Sequence, residues 1–231
     1  PGSTTAETPA RLLDDEAYYW VYSRYPDWGY FDHPPMIAML IRAGYNLFQN
    51  ELGVRIFVVI LSTLTVRAID LLLGNRNDRL FYLITLSMFL LQIGSMIAVP
   101  DVPLLFFTAL FFLAYKRFTS DYNWMNALLL GLTIAGMFYS KYHGVLIVIF
   151  TLLSNLSLLK KPQAWLAAAF ALLLFLPHLW WQYTHDFISV QYHLFERNAT
   201  KYQVSFTTEY VFGQILLAGP LIGWMLLWSA G

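Results

Sequence analysis

Long apolar runs occupy most of the chain after residue 51. They cover 52–73, 80–98, 103–117, 124–140, 143–159, 164–182 and 209–230, with short polar connections between them. Each run approaches the roughly 20 residues that an α-helix needs to cross a bilayer. The pattern therefore predicts an all-α polytopic membrane protein with about seven transmembrane helices in this chain.

The first 51 residues mix apolar and polar positions. Aromatic residues between 12 and 24 predict one amphipathic helix, and Pro34-Pro35 introduces a second over 36–48. Such a density of Tyr and Trp is typical of the headgroup level of a membrane. We interpret residues 1–51 as a first outer loop with two interfacial helices, and residues 52–231 as a transmembrane domain with a late outer loop at 183–208.

The start of the chain has neither the basic nor the apolar region of a signal peptide. Residues 1–10 are small and polar. Since the first loop must still reach the outer side, we expect a first transmembrane helix to precede this chain, and a further C-terminal part to follow it.

The connections between the apolar runs alternate in charge. One set is short and basic, which by the positive-inside rule places it in the cytoplasm; it contains Arg76, Arg79, Lys116, Arg117, Lys160 and Lys161. The other set holds eleven of the fourteen acidic residues, and all five histidines lie at or beyond the same ends of the runs. Groups able to exchange protons or bind metals are thus gathered on one outer face.

Composition agrees with this picture and excludes several classes. The chain is 58% hydrophobic and only 12% charged, whereas an average soluble domain is about a quarter charged. A formal net charge of zero gives no support to nucleic-acid binding. The absence of cysteine excludes disulfides, thiolate chemistry and Cys-ligated zinc.

Two acidic motifs lie in the first outer loop. Asp14, Asp15 and Glu16 suit the first turn of a helix, but a carboxylate at a membrane surface can also act as a general base. Asp32 and His33 precede the double proline, where Asp32 can cap the following helix. The same pair can also bind a metal ion or a phosphate.

The remaining outer connections add further candidates. Asp101 lies between two prolines and is either a turn cap or a functional acid. Lys141 lies two residues before His143, and its side chain can simply extend to the membrane interface. Its outer position opposes the positive-inside trend, which favours an anionic partner instead. The late loop combines belt aromatics with polar residues, among them His185, His193 and Arg197.

In this order the motifs resemble the dolichyl-phosphate-mannose-protein mannosyltransferase-like family of GT-C glycosyltransferases, which includes the aminoarabinose transferases of lipid A. The resemblance rests on Asp15-Glu16-Ala17-Tyr18-Tyr19, Asp32-His33-Pro34-Pro35, Pro100-Asp101-Val102-Pro103-Leu104, Ser140-Lys141-Tyr142-His143-Gly144, and His185-Asp186-Phe187 with Tyr192-His193 and Arg197. It departs at Tyr18, where the aminoarabinose transferases carry arginine, and at His33, a position often filled by lysine.

The resemblance implies an enzyme that uses a polyprenyl-phosphate sugar donor on the outer side of the membrane and a protein, lipid or glycan acceptor. It implies Asp15 as the catalytic residue, with Glu16 beside it. The roles it implies elsewhere are a possible divalent metal ion at Asp32 and His193, and donor-phosphate binding by His33, Lys141 and Arg197. Asp101, His143 and His185 are further candidates.

The expected mechanism is a direct displacement with inversion, in which Asp15 deprotonates the acceptor and nearby cations stabilise the leaving phosphate. The competing hypotheses are a lipid or sugar transporter and a non-catalytic polyprenyl-lipid-binding protein. Transporters tend to place charges near the bilayer midplane, whereas the polar residues here cluster at one interface. We expect a multi-pass protein of the bacterial inner membrane with its active site facing the periplasm.

Overall fold

The structure, a computed structural model, describes residues 12–74, 77–197, 203–218, 225 and 228. Throughout these ranges the regular structure is helical. The helices are α1 (Asp14–Arg24), α2 (Met36–Leu47), α3 (Glu51–Leu73), α4 (Asp78–Ser87), α5 (Phe89–Gly94), α6 (Asp101–Ser120), α7 (Trp124–Ser140), α8 (Gly144–Ser154), α9 (Pro162–Thr184), α10 (Ile188–Gln191) and α11 (Val204–Ala218).

The two helices predicted in the first outer loop are present. Helix α1 begins with three acidic residues, which favour a helix N-terminus. Helix α2 follows Pro35 and buries one face against α3. A Cβ atom on Gly44 would lie 2.1 Å from the carbonyl oxygen of Gly53, so the close approach of α2 and α3 requires glycine at this point.

Three helices are long and apolar enough to cross a membrane: Glu51–Leu73, Asp101–Ser120 and Pro162–Thr184. They confirm the predicted runs at 52–73, 103–117 and 164–182. The run predicted at 124–140 is α7, a shorter apolar helix.

Two other predicted runs are interrupted. The run at 80–98 divides into α4 and α5 at Met88, where the side chain of Gln92 donates to the carbonyl oxygen of Thr85 at 2.9 Å. In the run at 143–159, α8 ends at Ser154, and a 3₁₀ turn follows at Leu156–Lys160. In both cases a polar residue within the apolar run, Gln92 or Asn155, binds a group outside its own helix.

The last predicted run begins earlier than expected. Helix α11 starts at Val204 rather than at 209. The predicted end of this run at 230, the first eleven residues of the outer loop and residues 198–202 of the late loop lie outside the described residues.

The core has two parts that share α6. Helices α6, α7 and α9 pack around Phe111, Phe118 and Met137. Helices α1, α2 and α3 and the start of α6 pack around Trp20 and Ile41. Helices α1 and α2 are therefore packed into the same body as α3 and α6.

The two sets of connections lie at opposite ends of the bundle. At one end, the carbonyl oxygen of Trp28 accepts a hydrogen bond from His178, and Lys141 forms an ion pair with Asp101. At the other end, the ammonium of Lys116 donates to the carbonyl oxygen of Leu72 at 3.3 Å. The first end therefore collects the candidate site residues, and we refer to it as the outer end.

Candidate active site

Asp15 and Glu16 are neighbours in the first turn of α1 but face different environments. Successive residues on an α-helix point about 100° apart. Asp15 is exposed at the outer end, whereas the side chain of Glu16 is fully buried. Among the described residues, Asp15 has no hydrogen-bond or ion-pair partner, so its carboxylate is open to an approaching molecule.

Glu16 forms a buried ion pair with Arg55 of α3. Its Oε1 lies 2.8 Å from Nε of Arg55, and its Oε2 lies 2.5 Å from Nη2. The backbone N–H groups of Leu13 and Ala98 donate to the same carboxylate, each at 3.2 Å. Burial raises the pKa of Glu16, but these donors outweigh burial and leave the pKa below its ordinary value. The arrangement supports a structural role for Glu16, which joins α1 to α3 and to the segment before α6.

Asp32 is held by three side chains. Its Oδ1 accepts hydrogen bonds from the hydroxyls of Tyr18 and Tyr22, each at 3.1 Å. Its Oδ2 lies 2.9 Å from Nδ1 of His33, an ion-pair contact when that imidazole is protonated. Burial raises the pKa of Asp32, and the contacts with His33 and the two tyrosines lower it by more, so the group is a carboxylate at neutral pH.

The late outer loop is bonded to the first outer loop. Nε2 of His193 donates to the backbone carbonyl oxygen of Asp32 at 2.7 Å. The ring of His193 lies edge-on to His33, with centroids 6.1 Å apart. The hydroxyl of Ser189 donates to the carbonyl oxygen of Tyr30 at 2.8 Å. Two segments separated by more than 150 residues in sequence thus form one surface.

A tight reversal of the chain makes this contact between loops possible. Asp186 and Phe187 both have φ of 54°, in the left-handed region that non-glycine residues seldom adopt. The N–H of Phe187 donates to the carbonyl oxygen of Gln182 at 2.8 Å, and this hydrogen bond closes the end of α9. Left-handed residues often occur at functional sites, where the surrounding structure stabilises them. Here they direct the late loop back over the first loop.

Lys141 pairs with Asp101. Its ammonium lies 2.8 Å from each carboxylate oxygen at the start of α6. The carboxylate is more than half exposed and the lysine largely covered. Two candidates that the sequence treated separately therefore form one unit.

Basic groups from two connections lower the pKa of His143. Burial lowers the pKa of His143, and nearby positive charges lower it further; these belong to Lys141, His193 and Arg197, while Asp101 opposes them. The rings of Tyr142 and His193 have centroids 5.4 Å apart, so the α7–α8 turn and the late loop lie side by side next to His143.

Acidic groups converge on the buried side chain of Tyr19. Burial raises the pKa of its phenol, and the negative charges of Asp32, Asp15 and Asp101 raise it further. The charges of these three acids therefore all act on one ring. We call the combined set the outer polar cluster, made up of Asp15, Asp32, His33, Asp101, Lys141, His143, His193 and Arg197.

His178 links the loops beneath this cluster and was not predicted as a site residue. Its Nδ1 donates to the carbonyl oxygen of Trp28 at 2.7 Å. Its Nε2 lies 3.1 Å from the hydroxyl of Tyr142, which also accepts from Gln182 Nε2 at 2.6 Å. Tyr142 therefore donates to His178. Burial is the largest cause that raises the pKa of Tyr142 to about 12.

Arg55, Tyr142 and His178 are the residues that sequence reasoning missed. Arg55 had a usable signal, because it lies within an otherwise apolar run, close to the end rich in acids. His178 had a similar signal as a histidine inside an apolar run, and Tyr142 lies in the motif that contains Lys141 and His143, but nothing in the sequence indicates that the two side chains bond to each other. Their importance arises only from the packing of α9 beside the α7–α8 turn.

His185 is placed differently from the other predicted residues. It stacks on Trp181 of its own helix, with ring centroids 4.2 Å apart, and its Nδ1 lies 2.8 Å from the carbonyl oxygen of Trp181. Its contacts are therefore local to the end of α9.

Asp32 and His193 are adjacent but are not arranged as a pair of metal ligands. The carboxylate of Asp32 is engaged by Tyr18, Tyr22 and His33, and Nε2 of His193 donates a proton to a backbone oxygen. Within the described ranges, no three acidic or histidine side chains gather in a metal-binding group. As arranged, these residues do not fit the predicted divalent ion, which stays a prediction.

Comparison with known proteins places the chain in a family. The family model for dolichyl-phosphate-mannose-protein mannosyltransferase matches residues 32–181. Lipid A galacturonosyltransferase RgtD of Rhizobium johnstonii is 30% identical over an alignment 231 positions long, which covers 93% of this chain and 48% of that protein. The chain thus spans about half the length of this relative, and no solved structure matches. With more than half of its residues matched and its apolar helices in place, the chain belongs to the dolichyl-phosphate-mannose-protein mannosyltransferase family of GT-C membrane glycosyltransferases.

Proposed function

We propose that this chain carries the donor-binding and catalytic face of a membrane glycosyltransferase. In this proposal a sugar moves from a polyprenyl phosphate to a protein, lipid or glycan acceptor at the outer end of the bundle. The observation that carries the proposal is the outer polar cluster, which presents an open carboxylate and several cations on one surface.

Lys141 and Arg197 supply the positive charge for the donor phosphate, and His143 adds to it only when its ring is protonated. The negative charge on a phosphate increases as its bond to the sugar breaks, so cations fixed beside it lower the barrier. The ammonium of Lys141 has three donors, and Asp101 holds it in place from one side. His33, which lies between Asp32 and His193, is a further phosphate ligand when protonated.

Asp15 acts as the general base. Its carboxylate takes the proton from an acceptor hydroxyl or amine while that atom attacks the anomeric carbon. A new bond from the acceptor to the sugar forms as the bond from carbon to phosphate oxygen breaks, and polyprenyl phosphate leaves. Attack from the face opposite the phosphate inverts the anomeric centre.

The name of the similar protein suggests the first substrates to test. RgtD is described as a lipid A galacturonosyltransferase. We therefore propose a galacturonic acid donor and lipid A as the first donor and acceptor. Sugar transfer to such a lipid is consistent with a protein of the bacterial inner membrane whose outer polar cluster faces the periplasm.

The experiment compares Asp15→Asn with Asp14→Asn in the full-length protein in membranes. Both acids are exposed in the first turn of α1, so the second variant removes the same charge from the same turn. Transfer and donor binding are measured separately with a panel of labelled polyprenyl-phosphate sugars. We expect Asp15→Asn to lose roughly 10²–10⁴-fold in transfer, with donor binding retained and Asp14→Asn close to wild type.

Equal activity of the two variants would remove Asp15 from the catalytic role. Donor movement across the membrane without transfer by the wild type would favour a transporter instead. Binding of the donor with neither transfer nor movement would favour a polyprenyl-lipid-binding protein.

A further inference from the structure

An apolar cavity of about 190 Å³ lies between the parts of α6, α7, α8 and α9 that are farthest from the outer polar cluster. Its walls include Phe111 and Phe118 of α6, Leu130 of α7, Leu152 of α8 and Ala167 of α9. An engineered cavity of about 150 Å³ with similar walls stays dry and binds benzene. This cavity therefore suits a few carbon atoms of a hydrocarbon and does not suit water.

The cavity exists because α8 is short. With 11 residues, α8 extends roughly 16 Å, about half of a hydrocarbon core. A 3₁₀ turn at Leu156–Lys160 then brings the chain back towards α9. Beyond the end of α8, Leu158 and Leu159 of this turn line the cavity in place of a further turn of α-helix.

The mouth of the cavity opens towards the membrane between this turn and α9. Leu159 and Trp165 line the cavity and are 46% and 60% exposed. The indole N–H of Trp165 donates to the carbonyl oxygen of Leu159 at 3.0 Å, which joins the two sides of the mouth. An exposed tryptophan with a satisfied N–H is typical of the headgroup boundary.

Two lysines adjoin the mouth. Lys160 and Lys161 lie in sequence between the lining residues Leu159 and Ala164. Lys160 is exposed, and the ammonium of Lys161 lies 4.5 Å from the ring centroid of Tyr122. The nearby acid of this end, Asp121, accepts from Asn123 in the turn before α7. Positive charge next to an apolar opening matches a lipid that has an anionic headgroup.

We propose that this cavity binds one anionic phospholipid, with an acyl chain inserted between α8 and α9 and its phosphate at Lys160 and Lys161. The site lies at the opposite end of the bundle from the outer polar cluster, so it is not the donor site. It does not depend on the proposed transferase reaction, and binding is measured without turnover.

The test titrates the full-length protein in detergent with phosphatidylglycerol and with phosphatidylcholine, and counts bound lipids by native mass spectrometry. We expect one retained phosphatidylglycerol per chain, in preference to phosphatidylcholine. Lys160→Gln/Lys161→Gln is expected to weaken phosphatidylglycerol binding about tenfold or more, since each surface lysine contributes roughly fivefold to the binding of anionic lipid.

The matched control is Arg79→Gln/Lys116→Gln, which removes two exposed charges from the same end without touching the mouth. It should bind phosphatidylglycerol as the wild type does. Equal loss in both double variants would show a non-specific charge effect and overturn the proposal.

A second variant, Ala168→Phe, fills the mouth from its exposed side. It should reduce binding of both phospholipids, while thermal unfolding of the variant reports whether the fold is intact. If a folded Ala168→Phe protein binds phosphatidylglycerol as well as the wild type, the cavity is not the acyl-chain site. Retention of polyprenyl phosphate in place of phosphatidylglycerol would equally contradict the proposal.

Discussion

The two ends of the helix bundle are held together by different kinds of contact. At the outer end, polar bonds join residues far apart in sequence, as between His193 and Asp32, His178 and Trp28, and Glu16 and Ala98. At the inner end, the described polar contacts join residues closer in sequence, as between Lys116 and Leu72, Asn155 and Tyr115, and Arg67 and Asp70, and apolar side chains surround a cavity. Directional hydrogen bonds fix the positions of the loops at the outer end, while the inner end contains a cavity that can bind a ligand.

This difference explains where chemistry is possible. A catalytic group must be held to within a fraction of an ångström, and the bonds beneath the outer polar cluster hold its backbone from several sides. A lipid site needs only an apolar space and a charge at its mouth. Loss of a polar contact should therefore cost more stability at the outer end than at the inner end.

The largest effect is expected from Glu16→Ala. The variant leaves Arg55 without its carboxylate and removes the acceptor for the N–H of Ala98. Loss of one partner of a buried ion pair costs about 3–5 kcal/mol, and since the Arg55 side chain is 32% exposed, we expect about 3 kcal/mol. Thermal unfolding in detergent measures the loss.

The same ion pair predicts a pH dependence of stability. The folded-state pKa of Glu16 lies below the ordinary value of 4.5. Its contribution is therefore complete above about pH 4.5 and is lost as the pH falls through the folded-state pKa. An unfolding midpoint for Glu16→Ala that declines with acid as steeply as that of the wild type would contradict this assignment.

A smaller loss is expected from His178→Phe. The substitution keeps the volume of a ring but removes the donor to Trp28 and the acceptor for Tyr142. Buried polar groups without partners cost about 1–3 kcal/mol in the free energy of unfolding. His185→Phe, an exposed position directly after the same helix, serves as the control and should change stability by less than about 0.5 kcal/mol. If the two variants unfold alike, the buried network does not stabilise the outer end.

We expect the affinity of the protein for the sugar donor to change with pH because of His143. Its pKa lies below the ordinary value of 6.5, so the ring is neutral at pH 7 and gains a positive charge only in more acidic solution. A sugar phosphodiester keeps one negative charge over this range. Lowering the pH from 7.5 to 5.5 should therefore strengthen donor binding by about two- to fivefold, the range of exposed ion pairs.

His143→Gln isolates this effect, since it removes only the imidazole of His143 and leaves the rest of the outer polar cluster unchanged. The variant should show a smaller rise in affinity in a direct binding titration of the donor at the two pH values. A rise of the same size as in the wild type would exclude His143 from the phosphate site.

The smallest effect is expected from Asp70→Asn at the inner end. Asp70 pairs with Arg67 one turn away and accepts from Tyr82 at 3.2 Å, and the Arg67 side chain is 60% exposed. Exposed pairs of this kind contribute little to stability, so the loss should be the smallest of these variants. A loss in unfolding free energy as large as that of Glu16→Ala would show that the two ends are stabilised alike.

The apolar pattern predicted most of the helices, and it failed where side chains act across helices. The runs at 52–73 and 164–182 match α3 and α9, because length and hydropathy suffice for a long span. The breaks at Met88 and Asn155 depend on hydrogen bonds to partners that hydropathy does not represent. A polar residue inside an apolar run is visible in the sequence, but its partner is not.

For the site, the sequence identified the end of the molecule but not the position of each side chain. It placed Asp15 and Glu16 side by side as catalytic candidates, and only the rotation of α1 distinguishes the exposed carboxylate from the buried one. Lys141 and Asp101 were separate candidates, because nothing in their spacing shows that the starts of α6 and α8 adjoin. Pairwise geometry across a bundle is a property of packing, and one chain does not reveal it.

The long sequence separations at the outer end have a consequence during synthesis of the protein. The Glu16–Arg55 bond closes over 39 residues, but the Ser189–Tyr30 bond closes over 159. At about 5–20 residues per second, a ribosome needs roughly ten to thirty seconds to make the later segment. Until α9 and α10 are made, the first outer loop is therefore held by its early ion pair and by the packing of α1 and α2 against α3. The outer surface is completed among the last steps of folding.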